Sequence, residues 1–326
     1  MWVAHVAVLF AFAASAQQRA QGGLPAGDEV RDLSPLLAKA LEQQKLPAVG
    51  AVVIEGDRIV ARGVAGVRKL GTSVKAEWGD RWHLGSCTKA MTATMIAVLI
   101  ERGKMSWDTT ISQALPKLAE KMRPEYRDVT VEQLLAQRGG IGDPMEIPGL
   151  WPTLWKREGT PVEQRRRMAE AMLAAPSTVP VGEYFYSNCG YGIAGHMAET
   201  ITGTPWEELM RELLFKPLGM RSAGFGVPWD DEKIVEPWPH RRDGTPVSPG
   251  PQADNPPAIG PGGTVHATLE DWAKFVAEHL RGERGTDGKL LKAETYKRLH
   301  QGRKTGQGDD EYALGWGVVR RPWAKG

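Results

Sequence analysis

The sequence predicts a mixed α/β fold, and three observations lead there. An amphipathic segment near Ser34 is followed by two β-branched apolar runs that read as a hairpin. A long stretch free of Gly and Pro, Ser86 to Arg102, reads as a buried helix, and further helical segments fill the middle of the chain. With 326 residues, 41% hydrophobic and 25% charged, the composition is that of a soluble globular protein able to build a sizeable core. Lys and Arg number 41 against 39 Asp and Glu, a net charge of +2, which makes no electrostatic case for nucleic acid or an anionic membrane surface as partner.

In chain order, Trp2 to Ala14 is an apolar run without Lys, Arg, Asp or Glu, and Ala14-Ser15-Ala16 has the small-x-small pattern cut by signal peptidase. Residues 1–16 are read as an export signal, although no Lys or Arg precedes the run, and 17–32 as a flexible leader. The run falls short of the roughly 20 residues that a membrane span needs. Ser34-Pro35 then predicts a helix start, serine at the cap and proline at the first helical position, with Leu33, Leu36, Leu37, Ala40 and Leu41 along one face. Val49–Ile54 and Ile59–Gly66 flank Glu55-Gly56-Asp57-Arg58 as a hairpin.

Thr130-x-x-Gln133 is a capping box, Pro161 to Ala175 reads as helix with Arg165-Arg166-Arg167 on a solvated face, and Pro205 opens a helix ending near Phe215. From Pro228 to Gly263 the chain is Pro- and Gly-rich and reads as a long surface excursion. Thr268-x-x-Asp271 caps a helix to Leu280, a second covers Lys292 to His300, and Tyr312 to Val319 reads as a strand. Cys87 and Cys189, the only cysteines, are expected to be two small buried thiols. Trp151 and Trp155 could line an apolar acyl pocket, but tryptophan is more often core.

Chemistry enters at Gly85-Ser86-Cys87-Thr88-Lys89. A hydroxyl and an amine three residues apart at a helix start share one face, and an amine of lowered pKa can take the serine proton. The free N–H groups and positive dipole end of that helix suit an oxyanion. Ser86 is thus the candidate nucleophile and Lys89 its activator. Tyr186-Ser187-Asn188 follows a Gly182 turn and opens another apolar segment, where the phenol can relay a proton and the amide can grip a carbonyl.

Together these pieces resemble the serine β-lactamase and penicillin-binding protein superfamily, in particular class C β-lactamases, family VIII carboxylesterases and D-amino-acid-releasing peptidases. The likeness takes in Trp82-His83-Leu84-Gly85, Leu134 to Ile141, Gly182 to Tyr191, Pro217-Leu218-Gly219-Met220 and Gly262-Gly263, over about Leu33 to Val319. The resemblance implies an antiparallel sheet flanked by helices within residues 33–326, with a helical subdomain over about 107–237 and the site between them. It also implies that Ser86 is acylated, that Lys89 and Tyr186 handle protons, and that Asn188 contacts substrate, with no metal or organic cofactor. The substrate would be an ester, a β-lactam or a D-amino-acid amide, the last including a peptidoglycan-like peptide, met in the periplasm or outside the cell. The rivals are a non-catalytic penicillin-binding-like or peptidoglycan-sensing protein and an inactive truncated fragment.

Three departures from the pattern stand out. Gln137 and Arg138 replace the usual His and small residues, which puts local packing in doubt. Lys304-Thr305-Gly306 matches the family's third motif literally but lies in a polar, Gly-rich stretch without strand pattern, ahead of Leu314 to Val318 rather than after it. The C-terminal strands that would complete the family's sheet are therefore expected to be missing, leaving the hairpin with an exposed edge and the chain as written unstable and weakly active or inactive.

Overall fold

The first helix is set by a carboxylate rather than by its own serine. In the computed structural model, which describes residues 29–228, 233–248, 250–308 and 310–319, β1 (Arg31–Asp32) leads into α1 (Ser34–Gln44). Leu33 occupies the cap position, and Ser34 N donates to Asp32 Oδ1 at 2.8 Å. The expected serine cap is thus displaced by one residue. The Asp32 side chain does the same work of occupying an otherwise orphan helical N–H. Leu33 and Leu37 bury against Ala61 of the sheet beneath.

That sheet has the order β1-β3-β2, with β2 (Ala48–Glu55) and β3 (Arg58–Gly66) forming the predicted antiparallel hairpin. Among the described residues the far edge of β2 carries no further strand. β4 (Arg81–His83) then runs through a 3-10 turn, Gly85–Cys87, into α2 (Thr88–Glu101), buried from Thr88 to Leu99. A helix apolar on every side must be enclosed, and α2 is the axis around which the other elements pack.

Short helices follow: α3 (Ile111–Ala114), α4 (Val131–Leu135), α5 (Leu150–Trp155), α6 (Pro161–Ala174), α7 (Asn188–Thr202), α8 (Trp206–Met210) and α9 (Lys216–Leu218). Reciprocal capping boxes at Thr110/Gln113, Thr130/Gln133 and Thr160/Glu163 open α3, α4 and α6, the second as expected from sequence. The single helix expected from Pro205 to Phe215 is interrupted by a π-helical turn over Arg211–Phe215.

A second sheet, β4-β6-β5, joins β5 (Gly224–Phe225) and β6 (Val265–Thr268) to the strand before the 3-10 turn. It is followed by α10 (Leu269–Glu283), α11 (Ala293–His300), and a third sheet of β7 (Arg303–Lys304), β8 (Glu311–Tyr312) and β9 (Gly317–Val318). Among the described residues no helix is long and apolar enough to cross a membrane. The export signal read at 1–16 and most of the leader lie outside the described residues.

Four expectations need correction. Arg165 is fully buried, not solvated: its guanidinium donates to Glu199 Oε1, to both carboxylate oxygens of Glu207, and to Pro257 O at 3.0 Å. Arg166, by contrast, pairs with Glu170 in solvent, as a charged helix face should. The stretch read as a surface excursion turns inward at its end. There Pro257–Gly262 forms a buried 3-10 segment against α7, so close that a Cβ on Gly192 would sit 2.8 Å from Ala258 O.

Tyr312 to Val319 is a tight hairpin rather than one strand. The stretch around Lys304, read as having no strand pattern, supplies β7, whose Lys304 ammonium lies 3.4 Å from Glu311.

Arg165 ties α6, α7, α8 and the 257–262 segment together, and deleting it would leave two carboxylates short of a partner. Arg165→Ala is therefore expected to cost about 3–5 kcal/mol in urea unfolding, whereas Arg166→Ala should stay within about 0.5 kcal/mol.

Candidate active site

The three residues open to solvent at this site, Ser86, Tyr186 and Asn188, surround one that is not. Lys89 is 1% exposed, on the first turn of α2 directly beneath Ser86. Its Nζ lies 3.2 Å from Ser86 Oγ, 2.6 Å from Asn188 Oδ1 and 2.7 Å from Gly262 O, all neutral oxygens. The Tyr186 ring centre is 4.7 Å away and that of Tyr191 5.6 Å. The structure thus brings together all four residues singled out from the sequence and adds the Gly262 carbonyl.

Electrostatics follow from this enclosure. A buried ammonium without a carboxylate loses hydration and gains no counter-charge, so burial pushes Lys89 down to about 7 from the ordinary lysine value of 10.5. Although the Tyr186 ring is partly exposed, desolvation raises its phenol, an effect that its hydrogen bond with the Ser86 hydroxyl partly opposes. The neighbouring Cys87 thiol is pushed up to about 11 by burial. It stays protonated at neutral pH and is a poor competitor to Ser86, since the thiolate is the reactive form. Cys87 and Cys189 are both free thiols, Cys189 buried and Cys87 partly so.

The amine's hydrogens can be counted. As an ammonium Lys89 donates three; as an amine it donates two and keeps one lone pair. Asn188 Oδ1 and Gly262 O are the two shorter contacts, so a neutral Lys89 turns its lone pair to the Ser86 hydroxyl. That arrangement can accept the serine proton.

Gln137 and Arg138 do more than pack. Gln137 Oε1 accepts from Ser187 N at 2.8 Å, its backbone oxygen accepts from Phe185 N at 2.8 Å, and Arg138 O accepts from Gly182 N at 2.9 Å. The Tyr186 loop therefore hangs on these two residues. The terminal hairpin reaches the same place, where Tyr312 meets Tyr186 edge to face with ring centres 6.3 Å apart.

Sequence reasoning saw the oddity at 137 and 138 but not its use, because the partners lie about fifty residues away. Trp151 and Trp155 are partly buried on α5 and meet edge to face at 5.6 Å. Lys304 holds Glu311, and its carbonyl accepts from Arg138. Among the described residues there is no group of three or more His, Cys, Asp and Glu that could hold a metal ion.

The octameric penicillin-binding protein homologue from Pyrococcus abyssi matches this structure with a TM-score of 0.68 at 23% identity, over 87% of this chain and 64% of that one. A D-stereospecific amidohydrolase from Streptomyces sp. matches with a TM-score of 0.66 at 23% identity, over 86% and 80%. The fold is β-lactamase/transpeptidase-like, a mixed α/β arrangement of helices and small sheets.

The family model described as Beta-lactamase matches residues 33–326, and the chain belongs to that family. Penicillin-binding protein 4 of Amycolatopsis lactamdurans is 28% identical over 241 residues, 73% of this chain and 60% of that protein. An unguisins hydrolase of Aspergillus campestris is 22% identical over 259 residues, 77% of this chain and 47% of that protein. The chain spans about half the length of these curated relatives. Family and relatives together support a serine-hydrolase type of function.

The buried amine has a consequence for stability. Between about pH 7 and 10.5 the unfolded chain binds a proton at Lys89 that the folded chain does not. Stability from this group is therefore lowest below pH 7 and rises with pH across the window. Relative to Lys89→Met, the wild-type chain should gain up to about 1.4 kcal/mol per pH unit between pH 7 and 9, measured by urea unfolding of both proteins.

Proposed function

We propose that the chain is an exported serine hydrolase that cleaves an ester, a β-lactam or a D-amino-acid amide through an acyl-enzyme on Ser86. The observation that carries the reading is Lys89, buried among neutral oxygens 3.2 Å from an exposed serine hydroxyl. A lysine so placed is a base at neutral pH, and a structural lysine has no reason to be there without a counter-charge. Export is supported by the apolar run ending in Ala14-Ser15-Ala16.

In the acylation step Ser86 gives its hydroxyl proton to the Lys89 lone pair while Oγ bonds to the substrate carbonyl carbon. The carbonyl electrons move onto oxygen, where the Ser86 backbone N–H, in the first turn leading into α2, donates to the oxyanion. The proton passes from Lys89, or through the Tyr186 phenol, to the departing oxygen or nitrogen as its bond to carbon breaks. Water then repeats the sequence on the acyl-enzyme, giving its proton to the same base and restoring Ser86. Asn188 holds Lys89 through Oδ1 and keeps its amide hydrogens for a substrate carbonyl. A helical subdomain of about 107–237 would form one wall of the cleft.

The substrate class is supported by what relatives are called, a penicillin-binding protein and a D-stereospecific amidohydrolase. A p-nitrophenyl ester, a chromogenic cephalosporin and a D-Ala-D-Ala peptide should be assayed side by side. Weak turnover of at least one is expected, abolished in Ser86→Ala and lowered by about 10²–10⁴-fold in Tyr186→Phe. Stable labelling by a fluorescent penicillin without turnover would instead support a binding protein. Turnover that survives Ser86→Ala would refute the assignment.

A further inference from the structure

We propose that His83, held in its Nε2–H tautomer by Asp254, is a positioning residue for the Ser86 nucleophile. The inference rests on the serine-hydrolase reading above. Strand β4 ends at His83 and the nucleophile comes three residues later, so one tight turn decides where Ser86 points. Gly85 in that turn has φ 50°, a left-handed conformation in which glycine is at ease but not confined. Something must hold it.

Backbone bonds from Leu84 N to Val265 O, 2.9 Å, and from Cys87 N to Leu84 O, 3.1 Å, flank the turn, and Gly85 itself is held by the contact from its N to His83 Nδ1, 3.2 Å, across two residues. For Nδ1 to accept, it must be unprotonated, which in a neutral imidazole puts the proton on Nε2. Nε2 faces Asp254 Oδ1 at 2.6 Å, an acceptor that selects this tautomer. Asp254 is itself fixed: it is 8% exposed, its Oδ1 accepts from Asn255 N at 2.6 Å, and Arg157 Nη2 donates to its carbonyl at 2.8 Å.

The strip continues past Asp254. Asn255 Nδ2 donates to Gly263 O at 2.8 Å, and the adjoining Gly262 carbonyl accepts from Lys89 Nζ. One run of hydrogen bonds therefore leads from the acceptor that orients the base to the residue that precedes the nucleophile. His83 and Asp254 couple the placement of Ser86 to that of Lys89. Without the Nδ1 acceptor, Gly85 N–H is released and the spacing between hydroxyl and amine is no longer fixed, and a misplacement of about 1 Å at a reacting centre costs on the order of 100-fold.

Two substitutions separate the halves of the imidazole. In His83→Asn the side-chain carbonyl stands where Nδ1 was and can accept from an N–H two residues on, while the reach to Asp254 is lost. In His83→Gln an amide reaches toward Asp254 but the near acceptor is gone. Full-length proteins should be acylated with p-nitrophenyl acetate and with a fluorescent penicillin, after near-UV circular dichroism has verified the fold.

His83→Asn is expected to keep most of the wild-type kcat, and His83→Gln to lose about 100-fold in kcat with KM unchanged. Equal rates in all three proteins, or glutamine outperforming asparagine, would overturn the proposal while leaving the hydrolase reading intact. Asp254→Leu is an independent arm, usable if a His83 variant does not fold: lowered kcat at unchanged KM supports the proposal, and wild-type kcat contradicts it. Acylation that persists in Ser86→Ala overturns the hydrolase reading, and the proposal with it.

Discussion

The interaction on which the rest of the molecule depends is the burial of one amine without a counter-ion. Lys89 is enclosed by Ser86, Asn188, Gly262 and two tyrosine rings, and among the described residues no carboxylate stands among its hydrogen-bond partners. A carboxylate would hold the ammonium charged and spoil the base. The neutral oxygens do the opposite: Asn188 Oδ1 and Gly262 O can accept two hydrogens, which in the proposed reaction leaves the lone pair for serine. Such an arrangement opposes stability, since the charge must be shed or the amine left poorly solvated, and proteins tolerate that cost mainly where chemistry requires it.

Much of the surrounding structure can be read as support for that enclosure. The Pro257–Gly262 segment that brings in a carbonyl for Lys89 is pressed against α7 and anchored at its start by Arg165, which spans α6, α7 and α8 through Glu199 and Glu207. The Tyr186 loop is hung from Gln137 and Arg138 and packed by Tyr312 of the terminal hairpin. Each device is nonlocal. The Arg165 and Gln137 devices also satisfy buried polar groups, the Glu199 carboxylate and the Ser187 N–H among them, which favours one arrangement over several.

How much of this was legible in the sequence depended on distance along the chain. The hairpin around Gly56-Asp57, the capping box at Thr130 and the Ser86–Lys89 face are local patterns, and the structure has them where the periodicity and spacing put them. Tyr186 and Asn188 were reached through family resemblance, because nothing in Y-x-N announces a partner a hundred residues upstream. Arg165 was misread for a related reason. Three successive arginines look like a solvated face, and only Glu199 and Glu207, 34 and 42 residues on, show that the first of them turns inward. Gly262 entered only as part of the family likeness, and its carbonyl's contact with Lys89 could not be read, since a backbone oxygen has no residue signature and its segment lacked apolar periodicity.

The proposed reaction requires that Lys89 lose its proton around pH 7 rather than near the ordinary lysine value of 10.5, and that the resulting amine activate Ser86. The most direct measurement is the pre-steady-state rate of Ser86 acylation against pH, followed by intact-protein mass spectrometry. The predicted profile rises with pH and reaches half its plateau at about 7, where burial places the Lys89 amine. A profile that is flat from pH 5 to 9, or that rises only near the ordinary lysine value of 10.5, would contradict the assignment of Lys89 as the base.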